Sequence, residues 1–78
     1  MKMFLISDDA DILLGMRLAG VKGQQAASER EFMTAFMDAV YDEDMGILLI
    51  TQGLWHEFEQ FINPYRLNER PLIILFPN

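Results

Sequence analysis

Two adjacent carboxylates, Asp8 and Asp9, follow the apolar run Met3–Ile6, and a third, Asp11, lies two residues further on. Carboxylates gathered at the end of a strand can hold a divalent cation, because magnesium and calcium prefer oxygen ligands. The same residues also suit the start of a helix, where an aspartate caps free backbone N–H groups and the helix dipole favours negative charge. We interpret them as a cap and first-turn acids, and we predict no metal site.

The other reactive side chains lack the partners that catalysis requires. His56 is the only histidine, and the chain has no cysteine. A single histidine without a second ligand is a weak metal or acid–base candidate, so we expect it on the surface. Ser7 and Ser28 have no base that could activate them. The turn after the first apolar run is acidic, whereas dinucleotide-binding folds place glycines there. We therefore predict no catalytic residue, no cofactor and no enzymatic activity.

The elements that must position these residues begin with three short apolar runs, Met3–Ile6, Ile47–Ile50 and Leu72–Phe76. Each is too short for a helix and is apolar at consecutive positions, which is typical of parallel strands covered on both faces. The segment Val21–Ala26 connects two helical patterns and has low β-propensity. We predict that it is a strand at the edge of the sheet.

Helical spacing separates these strands. The first helix is predicted over Asp9–Leu18, with Gly20 as its stop signal. Ser28 and Glu31 form a capping box for the second helix, and a third is expected over Leu54–Ile62. Right-handed crossovers then predict an α/β fold, with a four-stranded parallel sheet of order 2-1-3-4 and helices on both faces, as in Rossmann-like and flavodoxin-like domains.

Length and charge limit the classes of partner. The 78 residues support a single domain, residues 1–78. A formal net charge of -6 repels phosphate groups, so nucleic acids and anionic membrane surfaces are poor candidates. The amino-terminal apolar run is too short for a signal peptide or a spanning helix, and we expect no direct membrane insertion.

The acidic pair Asp8-Asp9 after the first strand resembles the receiver domains of response regulators. In that family such a pair holds magnesium beside a phosphorylatable aspartate at the end of the third strand. Thr51 stands at the corresponding position here, and the late lysine of receivers has no match. This resemblance leaves a degenerate receiver-like or phosphocarrier signalling domain as the alternative function.

A second resemblance covers nearly the whole chain, from Lys2 to Pro77. The segments SDDADILLGMRLAGVKG, GILLIT and PLIILFP, in this order and spacing, resemble the F subunit of V-type and archaeal A-type rotary ATPases. The run from Gly15 to Gly20, with Arg17 within it, is the most specific element. The family has a Rossmann-like four-stranded domain followed by a C-terminal helical tail, and we expect this chain to lack that tail.

The resemblance implies a non-catalytic rotor subunit of the central stalk. Such a subunit docks on the coiled coil of the D subunit, inside the ring of catalytic A and B subunits, and helps couple ATP hydrolysis or synthesis to ion transport. It implies a cytoplasmic, peripheral part of a membrane-bound complex. From expected exposure and family position we predict five partner-contact residues: Met16, Arg17, Gln52, Trp55 and Phe58.

The stretch Gly15–Gly23 also carries structural expectations. Gly15 and Ala19 are expected to let the first helix approach the sheet closely, with Leu18 packed beneath it. Gly20 is expected to turn the chain into the edge strand, because glycine tolerates backbone conformations that other residues avoid. Arg17, near the helix end, is expected to keep its guanidinium free.

Overall fold

The computed structural model describes residues 1–78, and its sheet has four strands: Lys2–Ser7 (β1), Lys22–Gln25 (β2), Met45–Thr51 (β3) and Leu72–Phe76 (β4). All the pairings are parallel, and the order is β2-β1-β3-β4. Leu5 of β1 pairs with Leu49 of β3, which in turn pairs with Ile74 of β4. The predicted fold class and strand order are therefore confirmed. The edge strand is shorter than predicted, since Val21 and Ala26 lie outside it.

The helical segments are Ala10–Leu18 (α1), Glu29–Val40 (α2), Gln52–Glu57 (α3) and Glu59–Ile62 (α4), followed by a 3-10 turn at Asn63–Leu67. The capping box of α2 forms nearly as predicted. The backbone N–H of Glu31 donates to Ser28 Oγ at 3.1 Å, and Glu31 Oε1 accepts from the N–H of Ala27 at 2.7 Å. The return bond thus reaches one residue further back than Ser28. None of the helices has the length and apolar character needed to cross a membrane.

The single third helix predicted over Leu54–Ile62 is wrong, because the chain breaks at Phe58 into α3 and α4. Phe58 has φ -114° and ψ 23°, outside the helical region. The Phe58 ring stacks on Phe32 of α2, and Trp55 is also buried. Helical structure also continues past Pro64, since the first turn of the 3-10 segment tolerates its missing N–H.

The two faces of the sheet are covered unequally. One face, here called the α2 face, carries Ile6, Leu48 and Ile50 and packs against α2, α3 and α4 to form the main core. The opposite face, here called the α1 face, carries Leu5 and Leu49 and is covered by α1 over β1 and β2. The expectation that every apolar strand is covered on both faces is therefore wrong for β4, where Leu72 and Ile74 are exposed.

Candidate functional site

The carboxyl ends of β1 and β3 meet where open α/β sheets bind ligands. Ser7 Oγ accepts from the N–H of Asp9 at 3.0 Å. Asp9 Oδ1 accepts from the N–H groups of Asp11 and Ile12 at 2.9 and 3.3 Å, which confirms the cap interpretation. Asp9 is therefore committed to the start of α1, and only the exposed Asp8 and Asp11 carboxylates are left to face solvent or a partner.

Thr51 is fully buried at the end of β3, and its hydroxyl has no hydrogen-bond partner. The N–H of Gln52 next to it donates to Asn78 Oδ1 at 2.9 Å, which ties the chain end to the start of α3. No group of three or more histidine, cysteine, aspartate or glutamate side chains is arranged to hold a metal ion. This edge of the sheet holds neither a paired acid and base nor an activated nucleophile.

The structure of the Gly15–Gly23 stretch differs in part from the one predicted from the sequence. Gly20 has φ +94°, so its predicted turn is confirmed. A side chain at Gly15 would meet nothing within 4 Å, and Leu18 is 82% exposed, so the expected close packing of these residues on the sheet is wrong. The close approach occurs at Gly23, where a Cβ would lie 2.6 Å from Leu13 Cδ2 and 2.7 Å from the carbonyl oxygen of Leu5. The missing side chain of Gly23 in β2, and not that of Gly15 in α1, allows α1 to pack closely against the sheet.

The five predicted partner-contact residues do not form one surface. Met16 is half-buried on α1, Arg17 is exposed on the same helix, and Gln52 is exposed at the start of α3. Trp55 and Phe58 belong to the main core on the α2 face, so the exposure from which their contact role was predicted is wrong. The contact role itself stays a prediction for all five.

The buried position of Trp55 has a clear physical reason. The Arg66 guanidinium lies over the indole, 5.3 Å from the ring centroid, and combines a cation–π interaction with cover from solvent. His56, its neighbour in the sequence, is exposed as predicted. The buried residues Leu54, Trp55, Phe58 and Ile62 recur at the three- and four-residue spacing of one helix face, so only the burial of Trp55 departs from the predicted inner face.

A groove of about 870 Å³ lies between α2 and the amino ends of β1 and β2. Its lining carries charges of both signs, including the basic Lys22 and Arg30 and the acidic Asp38. At one end Lys2 Nζ donates to Asp42 Oδ2 at 2.5 Å. The hydrogen bond from Lys2 lowers the pKa of Asp42, as does the N–H of Asp44, and the bond to Asp42 raises the pKa of Lys2. No sequence pattern indicates this groove, because only the folded sheet brings its walls together.

Comparison with known proteins gives one finding. The family model described as ATP synthase (F/14-kDa) subunit matches residues 3–78. No significant match came from the curated proteins or from the solved structures. Since the family model spans nearly the whole chain, including both the acidic turn after β1 and the apolar β4, the chain belongs to the F/14-kDa subunit family of V/A-type ATP synthases.

Proposed function

We propose that this protein is a non-catalytic central-stalk subunit, which docks on the coiled coil of the D subunit and contributes to rotary coupling of ATP hydrolysis or synthesis to ion transport. The observation that carries the proposal is the family match over residues 3–78. The sequence resemblance that centres on the Gly15–Gly20 run supports the assignment to the rotor. The A and B subunits of the catalytic head are then indirect partners.

The packing of the domain suits a mechanical role. Five aromatic rings from α2, α4 and the residues beside them pack in one cluster with centroid separations of 4.5 to 6.4 Å: Phe32, Phe36, Phe58, Phe61 and Tyr65. Close-packed protein interiors resist compression and transmit strain. A stalk subunit that holds its shape under torque needs this property.

The net charge of the domain bears on how it attaches to the complex. With a net charge of -6, the domain has no electrostatic attraction to nucleic acid or to an anionic lipid surface. We place it on the cytoplasmic side of a membrane-bound complex, attached through protein contacts alone. The contact role remains proposed for Met16, Arg17, Gln52, Trp55 and Phe58. The side chains of the first three are at least partly exposed, whereas those of Trp55 and Phe58 are buried and also hold the shape of α3.

Co-purification tests this function directly. We expect the chain to co-elute in equal amounts with the D subunit of the same organism during size-exclusion chromatography, and to raise the coupled ATPase activity of a complex reconstituted without it. A complex that assembles and couples equally well without the chain would refute the stalk assignment. The D subunit alone, run at the same concentration, is the control for co-elution.

The signalling alternative rests on Thr51 and Asp8. The Thr51 hydroxyl lacks a partner at the position where receivers carry their phosphoacceptor, and the Asp8 carboxylate lies beside Gly53 at the same edge. Full burial of Thr51 keeps a phosphodonor away from it, which favours the stalk function. Incubation with magnesium and acetyl phosphate, followed by intact-mass analysis, separates the two. A stoichiometric gain of one phosphate would support signalling; it would be acid-stable on the Thr51 hydroxyl and labile, as an acyl phosphate, on Asp8. An unchanged mass supports the stalk.

A further inference from the structure

The α1 face contains a strip that no element of the chain covers. We call it the β3–β4 strip: Ile47 of β3, and Leu72, Ile74 and Phe76 of β4, with the nearly buried Leu49 at its inner margin. Leu72 is 57% exposed and Ile74 is 38% exposed. Neither strand contains a charged residue, so the strip is continuous apolar surface. Exposed apolar surface of this kind marks interaction sites.

One flank of α1 forms a wall beside this strip. Leu13 points down onto Gly23, and Leu14 and Arg17 face the β2 side together with Gln25. Helical geometry then directs Ile12 and Met16, both half-buried, to the opposite side, toward β3. The strip is therefore the floor of a shallow trough, and Met16 lines it while Arg17 lies on the far side of the helix.

The dimensions of the trough fit one α-helix. Two neighbouring strands lie ~4.8 Å apart, and five residues of strand extend ~17 Å, so the floor is roughly 10 Å wide and three helical turns long. A helix has a diameter of about 10 Å. Parallel sheets are normally covered by helices on both faces, and here the crossover between β3 and β4 lies entirely on the α2 face. The uncovered strip therefore has the width and length of one packed helix.

Charge indicates which helix would lie there. Asp8 and Asp11 are exposed at the carboxyl end of the trough, and Asp8 Oδ2 lies 3.5 Å from the Cβ position of Gly53. Arg17 is at the other end of α1 and on its far flank. A second copy of the chain would bring a charge of -6 against a charge of -6. A partner helix with an apolar face and basic residues near Asp8 and Asp11 is complementary instead.

We propose that the β3–β4 strip binds one amphipathic, basic helix of a partner subunit, lying along β3 and β4 against Ile12 and Met16. The inference rests on the proposed function, because it assigns the docking surface for the helical coiled coil of the stalk. It differs from the contacts predicted from the sequence, since it moves the interface away from Trp55 and Phe58 to the opposite face of the sheet.

Isothermal titration of the full chain with the purified D subunit tests the strip. We expect Ile74→Asp and Leu72→Asp each to weaken binding at least tenfold, because each inserts a charge into an apolar contact. The matched control is Leu67→Asp, which adds the same charge at a leucine that is 89% exposed in the 3-10 turn away from the strip. It should stay within threefold of the unsubstituted chain. Circular dichroism and thermal melts identify any variant that fails to fold, and Leu72→Ser then replaces it.

The charge component has its own test. The double variant Asp8→Asn/Asp11→Asn leaves the Asp9 cap intact and should bind several-fold more weakly in low salt. Its affinity should also depend less on salt concentration than that of the unsubstituted chain. Equal salt dependence of the two proteins would show that the partner places no basic residues at this end, and would overturn that part of the inference.

The outcomes separate the inference from the proposed function. If the unsubstituted chain does not bind the D subunit, the stalk function fails and the strip loses its occupant. If the chain binds and Ile74→Asp binds equally well, the docking surface lies elsewhere and the stalk function stands. If ultracentrifugation shows a dimer that Ile74→Asp converts to monomer, a second copy covers the strip and the inference is wrong.

Discussion

The ring of Phe58 stacks on the ring of Phe32, with centroids 4.5 Å apart and planes inclined by 10°. This contact joins α2 to the junction of α3 and α4, and both rings lie in the main core. Stacked aromatic pairs contribute beyond their buried area. The contact places Phe58 in the core, so this residue is not a freely exposed partner contact.

Replacement of Phe58 should therefore affect folding before it affects binding. We expect Phe58→Ala to lower the free energy of unfolding by about 3–5 kcal/mol, because it leaves a cavity against Phe32. The exposed neighbour His56→Ala should change it by less than about 0.5 kcal/mol. Urea unfolding followed by tryptophan fluorescence measures both. A stable Phe58→Ala variant with weakened partner binding would contradict this assignment and restore the contact role.

Gly23 and Gly15 should respond in opposite directions to the same substitution. We expect Gly23→Ala to cost about 1–3 kcal/mol, because the new methyl group collides with Leu13 and with the backbone carbonyl of Leu5. Gly15→Ala meets open space inside a helix and should stabilise the protein by roughly 0.5–1 kcal/mol. Thermal unfolding of the pair checks the sign of each change. Destabilisation by both would mean that α1 lies closer to the sheet at Gly15 than the geometry indicates.

The contribution of the Asp9 cap to stability can be measured separately from that of the neighbouring Asp8 charge. Asp9→Ala removes the acceptor for two backbone N–H groups and should lower the free energy of unfolding by about 1 kcal/mol. Asp8→Ala removes an exposed carboxylate that caps nothing and should be within about 0.5 kcal/mol of the unsubstituted chain. Asp9→Asn keeps an acceptor oxygen and should recover most of the loss. Denaturant titrations of the three variants decide between cap and charge, since equal losses for Asp8→Ala and Asp9→Ala would favour charge.

The Lys2–Asp42 pair should give a defined pH window. The pKa of Asp42 lies below its ordinary 3.8, so its contribution to stability is present above about that pH and is lost as the pH falls through the lowered value. The pKa of Lys2 lies above its ordinary 10.5, so its contribution is present below that pH and is lost as the pH rises beyond it. A double-mutant cycle with Lys2→Met and Asp42→Asn should show a small, constant coupling between about pH 5 and pH 10. A coupling that changes within this range would assign the pH dependence to other groups.

Much of the fold could be predicted from local signals. The apolar runs in β1, β3 and β4 are long enough to be recognised as strands, and the crossover rule then leaves few possible strand orders. Asp9 and Ser28 cap their helices through contacts two to three residues away, which a sequence pattern can capture. These features depend on neighbours along the chain.

The wrong predictions concern packing between distant segments. An apolar run such as Leu72–Phe76 has the same pattern whether one face or both are covered. The pattern therefore could not predict that one face of this strand is exposed. Gly23 has its role only because β2 pairs with β1 beneath Leu13, a relationship set by the register of the sheet. The stacking of Phe58 likewise depends on Phe32, which lies on another helix. The β3–β4 strip and the α1 wall beside it were not predicted for the same reason, since β3, β4 and α1 are separate segments of the chain.

The parallel order of the strands determines when the sheet can be completed during synthesis. Every neighbouring pair is separated along the chain by helical segments, and the central strand β1 must wait for β3 before Leu5 finds Leu49. No hairpin can form early and hold the nascent chain. Such long-range pairing slows folding compared with a helical bundle of equal size, and the unpaired edge of β1 stays open until Met45–Thr51 leaves the ribosome.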